Sequence, residues 1–229
     1  IGIASKLAND DWDRALRYMD IAKESALKSN SEKTIADFYN ALGNIYFEKD
    51  ALDIALEHYL KAYDFYEIKP ASERFKLENN LAIIYARTDK EDKALQFFKK
   101  VYSYQKQKKD TVNLARILNN MGSFYLDRKV DSSLVYFKES LQLSKNIADP
   151  NLKMFLHTNL ARCYVLKEEP NKAKSYFNKA LVDVENGADT RGAAWFYNEF
   201  SEFYQTHNSP DSSVYYAQKA VNILDSVVP

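Results

Sequence analysis

Glycine and proline are scarce in this chain of 229 residues, with five of each. So few turn residues cannot serve the many reverse turns of a β-sandwich, whereas short connections between helices need fewer. Cysteine occurs once, at Cys163, which excludes an intramolecular disulfide and a cysteine-based zinc site and leaves the redox compartment open. Neither sign of charge is in excess: 32 Lys and Arg face 32 Asp and Glu. No global field therefore draws the chain to nucleic acid or an anionic membrane. No apolar run approaches the ~18 residues of a membrane span, and no signal peptide is visible. The first residue is Ile1 rather than an initiator methionine, so the chain is expected to be a segment of a longer protein. Flanking sequence would then decide between a cytoplasmic and a periplasmic setting. Tyrosine, by contrast, is abundant, with 17 copies. It suits half-buried helix seams, where the ring packs and the hydroxyl stays wet.

Two interleaved patterns recur along the chain. In the first, a large apolar residue is followed by a small one, two of any kind, and Tyr. It reads Leu42-Gly43-x-x-Tyr46, Leu81-Ala82-x-x-Tyr85, Met121-Gly122-x-x-Tyr125, Leu160-Ala161-x-x-Tyr164 and Phe200-Ser201-x-x-Tyr204, at steps of 39, 40, 39 and 40. The second begins eight or nine residues after each Tyr and reads Ala55/Tyr59/Ala62, Ala94/Phe98/Val101, Ser133/Phe137/Ser140, Ala173/Phe177/Ala180 and Ser213/Ala217/Ala220. An earlier copy, Ala15/Met19/Ala22, precedes them. Offsets of 3, 4 and 7 lie on one face of a helix. Small residues let two helices approach, and the aromatic fills the space beside them. Each repeat is therefore a helical hairpin whose apolar stripes are completed by its neighbour. Asp50, Asp92, Asp131, Asn171 and Asp211 fall near the starts of the second helices, where helix-start chemistry is expected. Pro170 and Pro210 suit first-turn positions. Repeat four has eight residues from Tyr125 to Ser133 where the others have nine.

These patterns resemble the tetratricopeptide (TPR) signature over nearly the whole chain. The resemblance implies an all-α fold, a right-handed TPR superhelix of about six helical hairpins in a single domain over 1–229. The repeats lie near 1–30 (partial), 36–69, 75–108, 115–147, 154–187 and 194–227, with Ile3-Ala4 and Leu7 as the remnant of the first helix. The family length is 34 residues; here it is 39–40, so each helix should be longer by about two or three residues. Twelve helices, the first truncated, and no β-sheet are expected.

Catalytic chemistry is not indicated, nor is any cofactor. His58, His157 and His207 have no metal-ligand spacing to one another or to cysteine. His157 occupies a slot that packs between helices, and Cys163 reads as a buried thiol with no histidine placed to activate it. Gly43 and Gly122 are small-slot residues inside helices rather than a phosphate loop.

In TPR proteins the first helix of each repeat lines a concave groove. The positions two before the large slot read Asn40, Asn79, Asn119, Thr158 and Asn198. Those one before it read Ala41, Asn80, Asn120, Asn159 and Glu199. Asn is a poor helix-interior residue, so propensity would not place seven here. The strings Leu77-Glu78-Asn79-Asn80-Leu81-Ala82 and Ile117-Leu118-Asn119-Asn120-Met121-Gly122 resemble the Asn-Asn-Leu-Ala repeats of kinesin light chains. They are also similar to the asparagine ladder of O-GlcNAc transferase, whose amides bind a peptide backbone. A primary amide supplies a donor and an acceptor to match one backbone unit. Two readings of this row stand: contact with an extended peptide, or amides tying neighbouring helices together. Asn44, Ser123, Lys76, Arg87, Arg116, Arg162, Phe155 and Trp195 complete the expected groove. Its middle is relatively basic and its C-terminal end aromatic, which would suit a ligand with an acidic centre and an apolar anchor. The two-carboxylate clamp of chaperone-binding TPR domains matches only at Asn44, Asn80 and Arg116.

The expected function is a non-enzymatic protein- or peptide-binding module. No nucleic acid binding by this segment and no membrane insertion are expected, and the terminal repeats offer a surface for self-association. Asp131-Ser132-Ser133 and Asp211-Ser212-Ser213 before Tyr-rich helices look like TPR arrays beside bacterial signalling output domains, which implies a sensory or regulatory role. An assembly or secretion scaffold, and a phosphatase-type TPR regulator of response regulators, are the alternatives.

Overall fold

The structure is a computed structural model that describes residues 2–7, 11–67 and 69–225. Among these residues there are twelve α-helices and no strand. In order they are α1 (Gly2–Leu7), α2 (Trp12–Lys28), α3 (Glu32–Glu48), α4 (Leu52–Tyr66), α5 (Ala71–Arg87), α6 (Glu91–Lys108), α7 (Thr111–Tyr125), α8 (Val130–Leu143), α9 (Pro150–Leu166), α10 (Pro170–Glu185), α11 (Thr190–Thr206) and α12 (Pro210–Asp225). They pair as consecutive hairpins, the TPR-like helical array that the repeat predicts. The sequence reads as one array over 1–229. The packing divides it into two compact units, Ile1–Gln107 and Lys108–Pro229.

Helix starts are fixed by side-chain caps, but not where the acidic residues of the second helices suggested. Asp11, Ser31, Asp110, Asp149 and Asp189 each accept a bond from the backbone N–H three residues on, starting α2, α3, α7, α9 and α11. Such a bond satisfies one of the four donors a helix start leaves unpaired. No side chain caps α4, α8 or α10. Asp92, Asp131 and Asp211 instead sit in first turns, where negative charge favours the helix dipole.

The turn inside each hairpin explains this. Asp50, Asp89, Glu168 and Asn208 adopt left-handed backbone, with φ between 53° and 59°. The next N–H then reaches back to the carbonyl of the repeat tyrosine: Ala51 to Tyr46 (3.0 Å), Lys90 to Tyr85 (2.9 Å), Glu169 to Tyr164 (2.9 Å) and Ser209 to Tyr204 (3.0 Å). This is the Schellman closure, which satisfies the end of the first helix and launches the second. Repeat four, one residue shorter, has no left-handed residue, and Lys129 N–H bonds Tyr125 directly at 2.7 Å.

The two repeat patterns meet across each hairpin. Gly43 faces the Tyr59 ring and Gly122 faces the Phe137 ring; a Cβ added at Gly122 would lie 2.5 Å from Phe137 ring carbon. Phe98, Phe137 and Phe177 are almost wholly buried. Where the second helix carries Ser instead of Ala, the hydroxyl donates back to the first helix: Ser133 to the Gly122 carbonyl (2.7 Å) and Ser140 to that of Ala115 (2.6 Å). The last hairpin departs from the rule. Ala217 occupies the aromatic slot, and the neighbouring Tyr216 packs on Phe200 with ring centroids 4.4 Å apart. One repeat earlier Phe177, Leu181 and Val184 belong to the core of α9–α11, whereas Ala217, Val221 and Leu224 on α12 are exposed. Val227, expected within the final helix, lies outside the described residues together with Val228 and Pro229.

Two outcomes are expected. Gly122→Ala gains about 1 kcal/mol of helix propensity, yet should lower stability by roughly 1–3 kcal/mol because Phe137 has nowhere to move. Phe137→Leu in that background should recover part of the loss, giving a non-zero coupling in a urea double-mutant cycle. Glu168→Gly should raise stability by up to ~1 kcal/mol, the left-handed penalty removed less the extra chain entropy of glycine in the unfolded state. Thermal unfolding of the two proteins checks it.

Candidate functional site

In the first unit the expected surface lies on α3 and α5. The Asn80 amide donates to the side-chain oxygens of Asn40 (3.2 Å) and Asn44 (3.0 Å) one repeat earlier. Asn44 also accepts from the Tyr59 hydroxyl at 2.8 Å. Arg87 lies over the Phe47 ring and pairs with Asp50 at 2.6 Å. Lys76 is exposed and Asn79 half-buried.

In the second unit the surface lies on α7, α9 and α11. The Asn159 amide donates to Asn119 at 3.3 Å, again 40 residues back. Arg162 pairs with Glu199 at 3.1 Å. These contacts obey one register. The residue just before the large slot meets the residues two before and two after that slot in the preceding repeat. Asn80 meets Asn40 and Asn44, Asn159 meets Asn119, and Glu199, which replaces Asn in the last repeat, meets Arg162. The amides therefore do tie neighbouring first helices together.

Burial separates the row further. Asn159 is only 4% exposed, so the half-buried Asn119 is the more accessible amide of that pair. Thr158, expected to line the groove, is fully enclosed, and its hydroxyl turns back to the Met154 carbonyl of its own helix at 2.8 Å. Asn120 is half-buried, Ser123 is exposed, and the exposed Asn198 donates to Glu202 at 2.8 Å. Phe155 and Trp195 pack together with ring centroids 5.1 Å apart, and Trp195 stands one helical turn before Glu199 on α11.

The expected basic middle is not an unbalanced field. Arg87 and Arg162 are paired as described, and Arg116 is bonded to Asp149 at 3.0 Å. Each of these three arginines faces a carboxylate supplied by a neighbouring repeat or its turn. Burial holds the Glu199 carboxyl above the ordinary carboxylate range; Glu202 and Asp127 push the same way, against Arg162 and Trp195.

Beside this pair the second unit has a half-open cleft of about 230 Å³. Leu126, Val165, Phe177 and Phe203 supply its apolar lining, and Asp127, Arg162, Glu199 and Glu202 its charges. Of these, Arg162 was a candidate from sequence and Glu199 stood in the row just before the large slot. The others were legible in principle: Asp127, Leu166 and Thr206 stand six residues after the large slot, one turn beyond the Arg162 row on the same helical stripe.

The remaining reactive groups are structural. His58 is stacked against Tyr39 and Tyr46, and burial lowers its pKa. His157 bonds Asp183 at 2.6 Å. Cys163 is enclosed against Ser133, and burial raises its pKa. Among the described residues no group of three His, Cys, Asp or Glu could hold a metal ion, and no helix is long and apolar enough to cross a membrane.

Comparison with known proteins bears on the whole chain. The tetratricopeptide repeat family model matches residues 156–181, which span most of α9 and the start-to-middle of α10. NprR in complex with its cognate peptide NprX is similar over 93% of this chain and 61% of that one, with a TM-score of 0.74 and 16% identity. BtubC (BKLC) from P. vanneervenii is similar over 95% and 92% of the two chains, with a TM-score of 0.70 and 16% identity. A putative kinesin light chain of Podosopora anserina, with nearly identical TPR-like repeats, gives a TM-score of 0.61 at 11% identity over 82% and 94%. This chain thus spans about three fifths of NprR. Such low identities establish the fold alone. No curated protein sequence matches the chain. With a repeat match seated on the α9–α10 hairpin, and the same hairpin rule running from α3 to α12, the chain is a TPR-type helical repeat protein.

Proposed function

We propose that this chain is a non-catalytic module that binds a peptide or protein segment on the exposed face of its first helices. The observation that carries this reading is the mixed surface of α7, α9 and α11. An aromatic pair, Phe155–Trp195, is followed along α9 by the seam amides and then by the cleft. Phe155 and Arg162 are seven residues apart, about 10 Å along the helix, which an extended peptide crosses in roughly three residues. One seam bond does not exhaust an amide, which has two donor hydrogens and two lone pairs. Asn119 and Asn198 can therefore serve both the scaffold and a ligand backbone.

The likeness to NprR, solved with a peptide, supports this reading. NprR from B. thuringiensis is also described as a quorum sensor, which supports the finer proposal of a sensory or regulatory region in a bacterial signalling protein. The fold is similar too, at TM-score 0.67 and 14% identity over 90% of this chain and 36% of that one, to Cut9 in the Cut9–Hcn1 hetero-tetramer of APC/C. That likeness favours an assembly scaffold as the second reading.

Selection from a random peptide library followed by calorimetry separates contact residues from seam residues. Trp195→Ala combined with Asn198→Ala should weaken the selected peptides at least tenfold, ~1.4 kcal/mol, with the fold kept. Asn159→Ala should instead lower stability by roughly 1–3 kcal/mol, because it removes the buried bond to Asn119. Failure to select any peptide, or unchanged affinity in the Trp195/Asn198 variant, would overturn the proposed surface.

A further inference from the structure

We infer that the cleft at the C-terminal ends of α7, α9 and α11 is a specificity pocket for one basic side chain, lysine or arginine, of the bound partner. The inference rests on the peptide-binding reading and names the chemistry of the residue recognised.

Size comes first. A space of about 230 Å³ falls below the ~300–1,000 Å³ typical of pockets for whole small molecules, and suits a single long side chain. Its lining is divided in the way such a side chain is divided. Leu126, Val165, Phe177 and Phe203 form an apolar lining, while Asp127, Glu199 and Glu202 bring carboxylates to the same cleft. Lysine and arginine lay an aliphatic stem on apolar surface and keep the charged head at a polar rim.

Charge then selects the sign. Three carboxylates face one cation, and Arg162 is already engaged by Glu199 at 3.1 Å. Asp127 and Glu202 remain in excess; the bond Glu202 accepts comes from the neutral amide of Asn198. Backbone polarity adds to them independently. Leu126 is the residue that ends α7, Leu166 the last of α9 and Thr206 the last of α11, and all three line the cleft. Helix C-termini carry partial negative charge and favour cations. Burial is the largest cause of the raised Glu199 pKa, and Glu202 and Asp127 add to it, so the surplus is felt at a side chain in the cleft. A glutamate or aspartate of a partner would meet this field unfavourably, and a norleucine side chain would leave the carboxylates without a gain.

Tryptophan provides a reporter. The chain has two, Trp12 and Trp195; Trp195 stands one helical turn before Glu199 on α11, while Trp12 belongs to the other unit. Nα-acetyl methylamides of lysine, arginine, norleucine and glutamate are titrated to millimolar concentration against the full chain, with the two indole N–H resonances followed by NMR. The lysine and arginine probes should shift the Trp195 resonance saturably and leave Trp12 unmoved; the norleucine and glutamate probes should shift neither. Asp127→Asn with Glu202→Gln should weaken the lysine probe roughly fivefold or more, in a protein whose remaining spectrum is unchanged. An inert lysine probe, an equal response to norleucine, or undiminished binding by the double variant overturns the pocket. Peptides selected without enrichment in lysine or arginine, alongside an inert lysine probe, refute the pocket and leave the module intact. A responsive lysine probe with no selectable peptide refutes the module and keeps the pocket.

Discussion

The architecture depends on one close approach, an aromatic ring set against a small residue on the facing helix of the same hairpin. At Gly43 and Gly122 there is no room even for a methyl group, so the two helices sit as near as backbone allows and the ring becomes the core. Phe98, Phe137 and Phe177 are buried by this arrangement, and removing such a ring from a core typically costs about 3–5 kcal/mol. The small residues one helix turn away then admit the next hairpin. Serine can replace alanine there because its hydroxyl is satisfied by the neighbouring helix, as Ser133 and Ser140 show. The Asp-Ser-Ser strings that resemble signalling arrays are, at this level, ordinary parts of the packing rule.

Once the hairpins are placed, a second regularity links them. The seam between successive first helices uses a fixed register, and chemistry varies within it. Amide meets amide at Asn80–Asn40 and Asn159–Asn119, and carboxylate meets guanidinium at Glu199–Arg162. A repeat that exchanges asparagine for glutamate keeps the contact by placing arginine in the preceding repeat. Such contacts would pre-order the polar face for the proposed ligand, which lowers the ordering cost of binding.

Most of the fold was legible in the residues because the determinants are local and repeated. Large slot, small slot, Tyr and aromatic each occupy a fixed helical phase, and phase decides burial. The site was harder to read. Sequence places Arg87, Arg116 and Arg162 on one face, but their carboxylate partners come from other repeats or their turns: Asp50 from a left-handed turn, Asp149 from a cap, Glu199 from the following helix. Net local charge depends on those tertiary pairings, so the arginines of a basic stripe in one dimension are each paired in three. Thr158 shows the complementary limit. It shares its row with four asparagines, yet burial and a bond to the Met154 carbonyl remove it from the surface. The cleft escaped the candidate rows because its apolar lining mixes turn, first-helix and second-helix residues that no single period relates.

The turn between α7 and α8 has an evolutionary consequence. It lacks the left-handed residue of its counterparts, yet Phe137 still faces Gly122 as Tyr59 faces Gly43. The tyrosine carbonyl accepts its closing bond whether the donor stands five residues on, as at Ala51, or four, as at Lys129. A change of one residue in length is therefore absorbed where the chain reverses and does not propagate into the helices. Single-codon insertions and deletions at these reversals can accumulate in such a lineage without scrambling the contacts between its helices.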